Sequence, residues 1–313
     1  MARKEYYSYS RLEVFESCGF KYYLKYYLKM KAPWTDNVAT AFGSAVHKCE
    51  EQIANCLKNK QPIDYPALKA EFTAKCIDIQ KRFKEYNLPD GKTDKNYRDK
   101  AHDYLTHGIY RLENFIKEHP EYEVYGAEVP LRFELEGEQF TGSIDRVLHN
   151  TADDTYLIQD IKTWAEEKDP KDLVTPLQFV IYVYAFIHQY GIPADKLSCE
   201  YDLPLCDTKQ PAGTKGFLDR GLKKVSKLFE DIRAEKWESK ATPLCYWCEY
   251  SATNPNAPEE TKYLCPYFSH WKQPDKFKDW TVEHEWIGIK EHPQILEDYQ
   301  KRVKDGKESR ILL

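Results

Sequence analysis

The segment Tyr156-Leu-Ile-Gln-Asp160-Ile161-Lys162 closes an apolar run with an acid and a base two positions apart. Side chains alternate along an extended strand, so Asp160 and Lys162 share one face while Ile161 points to the other. The stretch before it carries Gly142-Ser-Ile-Asp145, and a hairpin through residues 150–154 folds Asp145 back toward Asp160. Two carboxylates meeting on one sheet face repel, and a divalent cation relieves that repulsion. Mg2+ takes carboxylate and water oxygens and leaves coordination positions for a phosphate. A neighbouring ammonium can orient or deprotonate an attacking water, or neutralise charge building on phosphorus. Asp145, Asp160 and Lys162 are therefore the parts needed for metal-assisted hydrolysis of a phosphodiester. Taken alone, Asp-x-Lys reads more simply as a solvated ion pair, since motifs this short recur by chance.

A second group of residues bears on metals. The chain has 9 Cys, an odd number, so at least one stands outside any internal disulfide. Cys49, Cys56, Cys76, Cys199 and Cys206 are scattered, whereas Cys245 and Cys248 form a Cys-x-x-Cys with Cys265 beyond it. In a reducing compartment such a grouping points to metal rather than to disulfides. The 24 Tyr against 2 Met put hydroxyls on much of the apolar surface, each needing water or a partner.

The elements that must position these groups belong to a chain of 313 residues, long enough for one large domain or two modest ones. Hydrophobic residues make up 42% and charged residues 31%, which favours a folded chain over a disordered one. Mean hydropathy is −0.73, and no apolar run approaches the roughly 20 residues that cross a bilayer. The start, Met1-Ala-Arg-Lys-Glu-Tyr-Tyr, lacks the apolar core of a secretory signal, so an intracellular, cytoplasmic protein with no membrane partner is expected. The net charge of −5 argues against indiscriminate nucleic-acid binding and leaves a local groove open.

Helical spacing of Phe20, Tyr23, Leu24, Tyr27 and Leu28 predicts a helix over 20–28, with further helices over 40–57, 65–86 and 97–117. Beyond His119-Pro120, alternating stretches rich in Val, Ile, Phe and Tyr predict strands over 124–135, 139–148 and 155–161. An apolar helix over 176–190 ends at Gly191, a strand follows over 197–205, and a helix over 214–237. The order predicts an α/β or α+β core with a helical N-terminal elaboration. The regions expected are 1–120 (helical, contributing Cys18 and His47), 121–240 (core) and 241–313 (Cys-containing, packed on the first). The segment from Pro266 is aromatic and charged and yields no assignment.

Six short motifs in order give the chain a resemblance to the PD-(D/E)XK nuclease superfamily, within it to the RecB-like branch of recombination and CRISPR-adaptation exonucleases. They are Ser8-Tyr-Ser10-Arg-Leu12 with Cys18, Gly43-Ser-Ala-Val-His47, the strand glutamate Glu128, Gly142-Ser-Ile-Asp145, Asp160-Ile-Lys162, and Gln178 with Tyr182. They span roughly residues 8–265, and their order carries more weight than any one of them. The resemblance implies a restriction-endonuclease-like core of a mixed sheet flanked by helices. It also implies a Mg2+- or Mn2+-dependent deoxyribonuclease, with a single-strand exonuclease in recombination, repair or phage DNA processing favoured. A structure-dependent endonuclease with the same centre and a non-catalytic DNA-binding protein are the alternatives. By the same resemblance, Asp145, Asp160 and the Ile161 carbonyl hold metal, with His47 as a supporting ligand. Lys162 is the catalytic lysine, and Gln178 and Tyr182 reach the centre from one helix face. Glu134, Glu136 and Glu138 compete with Glu128 for the glutamate position.

Some members of that branch bind a 4Fe-4S cluster through one N-terminal and three C-terminal cysteines, matched here by Cys18, Cys245, Cys248 and Cys265. The sixteen residues between Cys248 and Cys265 depart from the short spacing usual in the family. Zinc on the same thiolates, or no metal, stays open. The first 31 residues carry seven Lys or Arg against three Glu, interleaved with Tyr6, Tyr7, Tyr9, Tyr22 and Tyr26. That pattern fits single-strand binding, as does the basic stretch Arg220 to Lys227. A solvated helix face with Tyr in the core is the alternative. The partner expected is DNA that is single-stranded or has a free end.

Overall fold

The computed structural model describes residues 6–30, 32, 37–84, 94–164, 166–238, 243–251, 254, 257–258, 261, 264–265 and 301. The chain divides into two compact units, Met1–Tyr9 with Asn37–Ser226, and Ser10–Asp36 with Lys227–Leu313. The first 120 residues thus contribute to both. No helix among the described residues is long and apolar enough to cross a membrane.

In the first unit, α3 (Val38–Lys58) starts where the Asn37 side chain accepts the Thr40 N–H at 2.9 Å. Its buried stripe of Val38, Ala41, Phe42, Ala45, Val46, Cys49, Ile53 and Ala54 recurs every three or four residues. Helices α4 (Tyr65–Lys84), α5 (Asp94–Thr106) and α6 (Arg111–Glu118) follow. The helix expected over 97–117 is therefore two, separated by a 3₁₀ turn at Gly108–Tyr110. The break falls where Gly108 lies so close to the Tyr104 ring and the Pro204 carbonyl that a Cβ would stand 2.6 and 2.7 Å from them.

Strands β1 (Tyr122–Leu135), β2 (Glu138–Asn150), β3 (Thr155–Ile161), β4 (Leu197–Leu203) and β5 (Thr208–Ala212) form a five-stranded sheet in the order β1-β2-β3-β4-β5. The sheet is mixed: β3 and β4 are parallel and the other pairs antiparallel. Strand β5 lies outside the sequence expectation, because Thr208-Lys-Gln-Pro-Ala is short, has no apolar alternation and contains Pro211. Pro211 is tolerated because β5 is the edge strand and needs partners on one side only.

The parallel crossover from β3 to β4 runs through α7 (Leu177–Tyr190), whose first seven residues are all buried, and Gly191 ends it in the left-handed region at φ 73°. Helix α8 (Phe217–Arg233) comes after β5 and is shorter at both ends than the 214–237 expected. This α/β arrangement, a mixed sheet flanked by helices, is restriction-endonuclease-like.

The second unit contains α1 (Tyr9–Ser17) from Ser10 on, and α2 (Gly19–Tyr22), which runs into a π-helical turn over Tyr23–Tyr27. Trp237 stacks on Tyr22 and Tyr23 and meets Phe15 and Tyr27. Glu249 lies 2.7 Å from Lys21 Nζ and 3.2 Å from Lys25 Nζ, and the Tyr250 hydroxyl donates to the Met30 carbonyl. Tyr22 and, in the first unit, Tyr7 are buried and so engaged in packing, while Lys21 and Lys25 are paired with Glu249.

Candidate active site

The β2–β3 hairpin brings the two aspartates together. Arg146 pairs with Gln159, so Asp145 and Asp160 face each other one step further along. There the Asp145 carboxylate accepts the Ile161 N–H at 2.7 Å. A register shift between Val124 and Gly126 places Glu128 opposite Asp145, between the Ala127–Arg146 and Val129–Ile144 pairs. Glu128 has φ 46°, a left-handed conformation costly for a residue with a Cβ. The bulge turns its carboxylate toward the site, where Ser143 donates to it at 2.5 Å. Glu134, Glu136 and Glu138 sit instead at the far end of the β1–β2 hairpin, where Glu134 pairs with Gln139 and Glu138 with Leu135.

Helix α3 adds His47, half-buried beside the apolar stripe, with Nδ1 3.6 Å from Asp145 Oδ1. His47, Glu128 and Asp145 each offer a ligand atom, and these atoms lie within 4.8 Å of one another. That spacing and donor set, one imidazole and two carboxylates, suits a small divalent cation.

Asp160 is buried. Its Oδ1 accepts from Gln178 Nε2 at 2.6 Å, and the same amide lies 2.8 Å from the Tyr182 hydroxyl. Gln178 and Tyr182 are one turn apart on α7, whose placement against the sheet explains why both reach one strand residue. Asp160 Oδ2 is 2.6 Å from Lys162 Nζ but accepts no well-directed hydrogen bond. The contact is an ion pair that leaves this oxygen with unused acceptor capacity. The Lys162 side chain is partly exposed, and its main-chain N–H donates to the Asp202 carbonyl at 2.9 Å.

The electrostatics separate the two aspartates. Burial pushes the Asp160 carboxyl up to about 6 despite the Lys162 ammonium. Burial also opposes ionisation of Asp145, but the His47 hydrogen bond and charge and the Ile161 N–H together hold it below the usual range. His47 responds in kind: burial disfavours its cation, and Asp145 more than compensates, so its value is raised.

Four residues near this centre are given no role by the sequence motifs: Ser143, Glu50, Arg146 and Asp202. The last three are buried charged groups. The one signal in sequence is position, Arg146 adjoining Asp145 and followed by Val147 and Leu148, and Glu50 one turn beyond His47 on the buried stripe.

A family model for the PD-(D/E)XK nuclease superfamily matches residues 6–253. The chain belongs to that superfamily. Its members are nucleases that act on DNA with divalent metals, and the acidic cluster above offers a place for one. No curated protein matches the chain. Among solved structures, one titled "Crystal structure of SSO0001" is 16% identical over 77% of this chain and 95% of that chain, with a TM-score of 0.25.

Proposed function

We propose that the protein is a Mg2+- or Mn2+-dependent deoxyribonuclease of the RecB-like branch, acting as an exonuclease on single-stranded ends within the cytoplasm, in recombination, repair or phage DNA processing. The observation that carries the nuclease reading is the convergence of His47, Glu128 and Asp145 within 4.8 Å beside the Asp160–Lys162 ion pair. The order of the short motifs supports the branch and, with it, the preference for free ends.

Asp145, Asp160, the Ile161 carbonyl, His47 and Glu128 are the residues that hold the cation. A divalent ion bound there supplies Lewis-acid polarisation of the phosphate and a more acidic water. Lys162 neutralises charge on the phosphoryl oxygens or orients the attacking water. Gln178 fixes the rotamer of Asp160 through its amide, and Tyr182 fixes Gln178. The Asp145 acceptor bond from Ile161 N–H locks β2 to β3 at the level of the two aspartates.

The second unit is proposed to hold a 4Fe-4S cluster through Cys18, Cys245, Cys248 and Cys265, with zinc as the rival occupant. All four belong to one unit although more than two hundred residues separate the first from the rest. Cys18 sits in extended backbone at the N-cap of α2, its Sγ accepting the Lys21 N–H at 3.4 Å. The Cys248 N–H bonds the Cys245 carbonyl, and the Cys265 N–H bonds the carbonyl of Tyr250, two residues past Cys248. These bonds link the backbones of Cys245, Cys248 and Cys265, while Cys18 is held locally with a main-chain donor on its sulfur, as a thiolate ligand would be. A brown protein with stoichiometric iron and sulfide supports the cluster; a colourless one with stoichiometric zinc supports the rival.

The functional test is a time course on linear and covalently closed circular single-stranded DNA with Mn2+ or Mg2+, the Asp160→Asn protein serving as control. An exonuclease degrades the linear strand and spares the circle. Cutting of the circle assigns an endonuclease, and metal-independent binding without cleavage assigns a DNA-binding protein.

A further inference from the structure

Behind the candidate centre, on the opposite face of the sheet, lies a fully buried guanidinium. Arg146 is 1% exposed and uses its fork in three directions. Its Nε donates to Gln159 Oε1 at 2.5 Å, Nη1 to Glu50 Oε2 at 3.0 Å, and Nη2 to Asp202 Oδ2. The network extends outward: Gln159 Nε2 donates to Glu200 Oε1 at 2.5 Å, and the Tyr104 hydroxyl donates to Glu50 Oε1 at 2.9 Å. Arg111 Nη1 lies 3.2 Å from Asp202 Oδ1.

Each residue around Arg146 adjoins a different member of the site. Arg146 itself follows Asp145, and Gln159 precedes Asp160. Glu50 stands one helical turn beyond His47. The main-chain carbonyl of Asp202 accepts the Lys162 N–H at 2.9 Å. One guanidinium, itself next to Asp145, therefore touches the residue before Asp160, the residue bonded to the Lys162 main chain, and a residue one turn from His47. A buried ionic network stabilises a fold no better than well-packed apolar side chains of the same volume, so stability alone gives no reason for it here. A rigid, planar donor bonded on three sides does accept only a narrow range of placements for its partners.

We infer that Arg146, with Glu50, Gln159 and Asp202, is the positioning centre of the active site. It sets α3, β2, β3 and β4 at the spacing that lets His47, Asp145, Asp160 and Lys162 serve one divalent cation. Its consequence for cleavage rests on the nuclease reading proposed above, whereas its consequence for metal binding does not. Displacements of about 0.5 Å in such a shell are enough to degrade a site.

The test removes the charges as a set, because Arg146→Met alone strands Glu50 and Asp202 as buried, uncompensated carboxylates. The set is Glu50→Leu, Tyr104→Phe, Arg146→Met and Asp202→Leu. Arg111 then keeps the Leu203 and Thr208 carbonyls and Asp207 as partners. A milder variant, Gln159→Met, cuts one link to Arg146 and one to Glu200. Mn2+ is titrated into each metal-free protein with the free ion followed by electron paramagnetic resonance, beside circular dichroism to establish folding. The expected result is a folded protein binding Mn2+ about 10- to 100-fold more weakly in the set variant, and several-fold more weakly in Gln159→Met. In the cleavage assay, kcat falls while KM for DNA holds. Should the set variant not fold, Gln159→Met decides. A folded variant that binds Mn2+ within twofold of the parent overturns the inference. A parent that binds Mn2+, with variants that lose it, supports the inference even where no DNA is cut, and then it is the nuclease reading that fails.

Discussion

Burial drives the Asp160 carboxyl up to about 6 against the pull of the Lys162 ammonium, so the native state spends free energy keeping that group charged at neutral pH. An acid whose native value lies above its unfolded value retains a proton that the unfolded chain has released. Native stability therefore falls as pH rises from about 4 to 6 and stays low above that window. At roughly 1.4 kcal/mol per pKa unit the cost is on the order of 3 kcal/mol. Asp160→Asn should accordingly stabilise the metal-free protein by about that amount at pH 8 in urea unfolding, with the gain fading toward pH 4, while abolishing cleavage. A cation must find the carboxylate ionised, so Mn2+ affinity of the parent should drop as pH falls through about 6, as titration calorimetry at pH 5 and pH 8 would show. Gln178→Ala removes the amide that orients Asp160 Oδ1, and a roughly tenfold loss of metal affinity is expected in the same experiment.

At the scale of elements, the site depends on α7 lying at a fixed height against the sheet, and α8 helps set it. A Cβ on Gly221 would stand 2.1 Å from Val180 Cγ2. Gly221→Ala must push α7 and α8 apart, lowering stability by about 1–3 kcal/mol and cutting activity with it. Val180→Ala in the same chain should restore much of both, read as thermal midpoint and initial rate. The elements bearing Asp145, Asp160, Lys162, Gln178 and Tyr182 were legible because strand alternation and helical spacing are written in residue type. β5 was not, since an edge strand with Pro211 has no such signature, and neither was the break at Gly108, which depends on a carbonyl at Pro204 nearly a hundred residues away. Arg146 and Glu50 escaped for a related reason: a charged side chain reads as surface until its distant partners are known. Tyr22 sits in the core, the alternative the sequence left open, because a ring suited to stacking on bases is equally suited to stacking on Trp237.

For the whole molecule, the two units divide the chemistry. His47, Glu128, Asp145, Asp160 and Lys162 all belong to one, and the four motif cysteines to the other. A cluster on those cysteines would act as a staple between segments far apart in sequence, and its loss should be felt as stability. Cys18→Ser is expected to lower the thermal midpoint and expose residues 10–30 to proteolysis, while Mn2+ affinity at the acidic centre stays within about twofold. In the proposed reaction Lys162 works beside a cation held by the aspartates to break a phosphodiester. The most direct measurement is the rate of cleavage of a labelled single strand at saturating Mn2+ by the parent and by Lys162→Ala, with Mn2+ occupancy confirmed in both. Metal-dependent cleavage by the parent is expected, with a loss of at least about a hundredfold in the variant while the metal stays bound. Equal rates from the two proteins would contradict that role for Lys162.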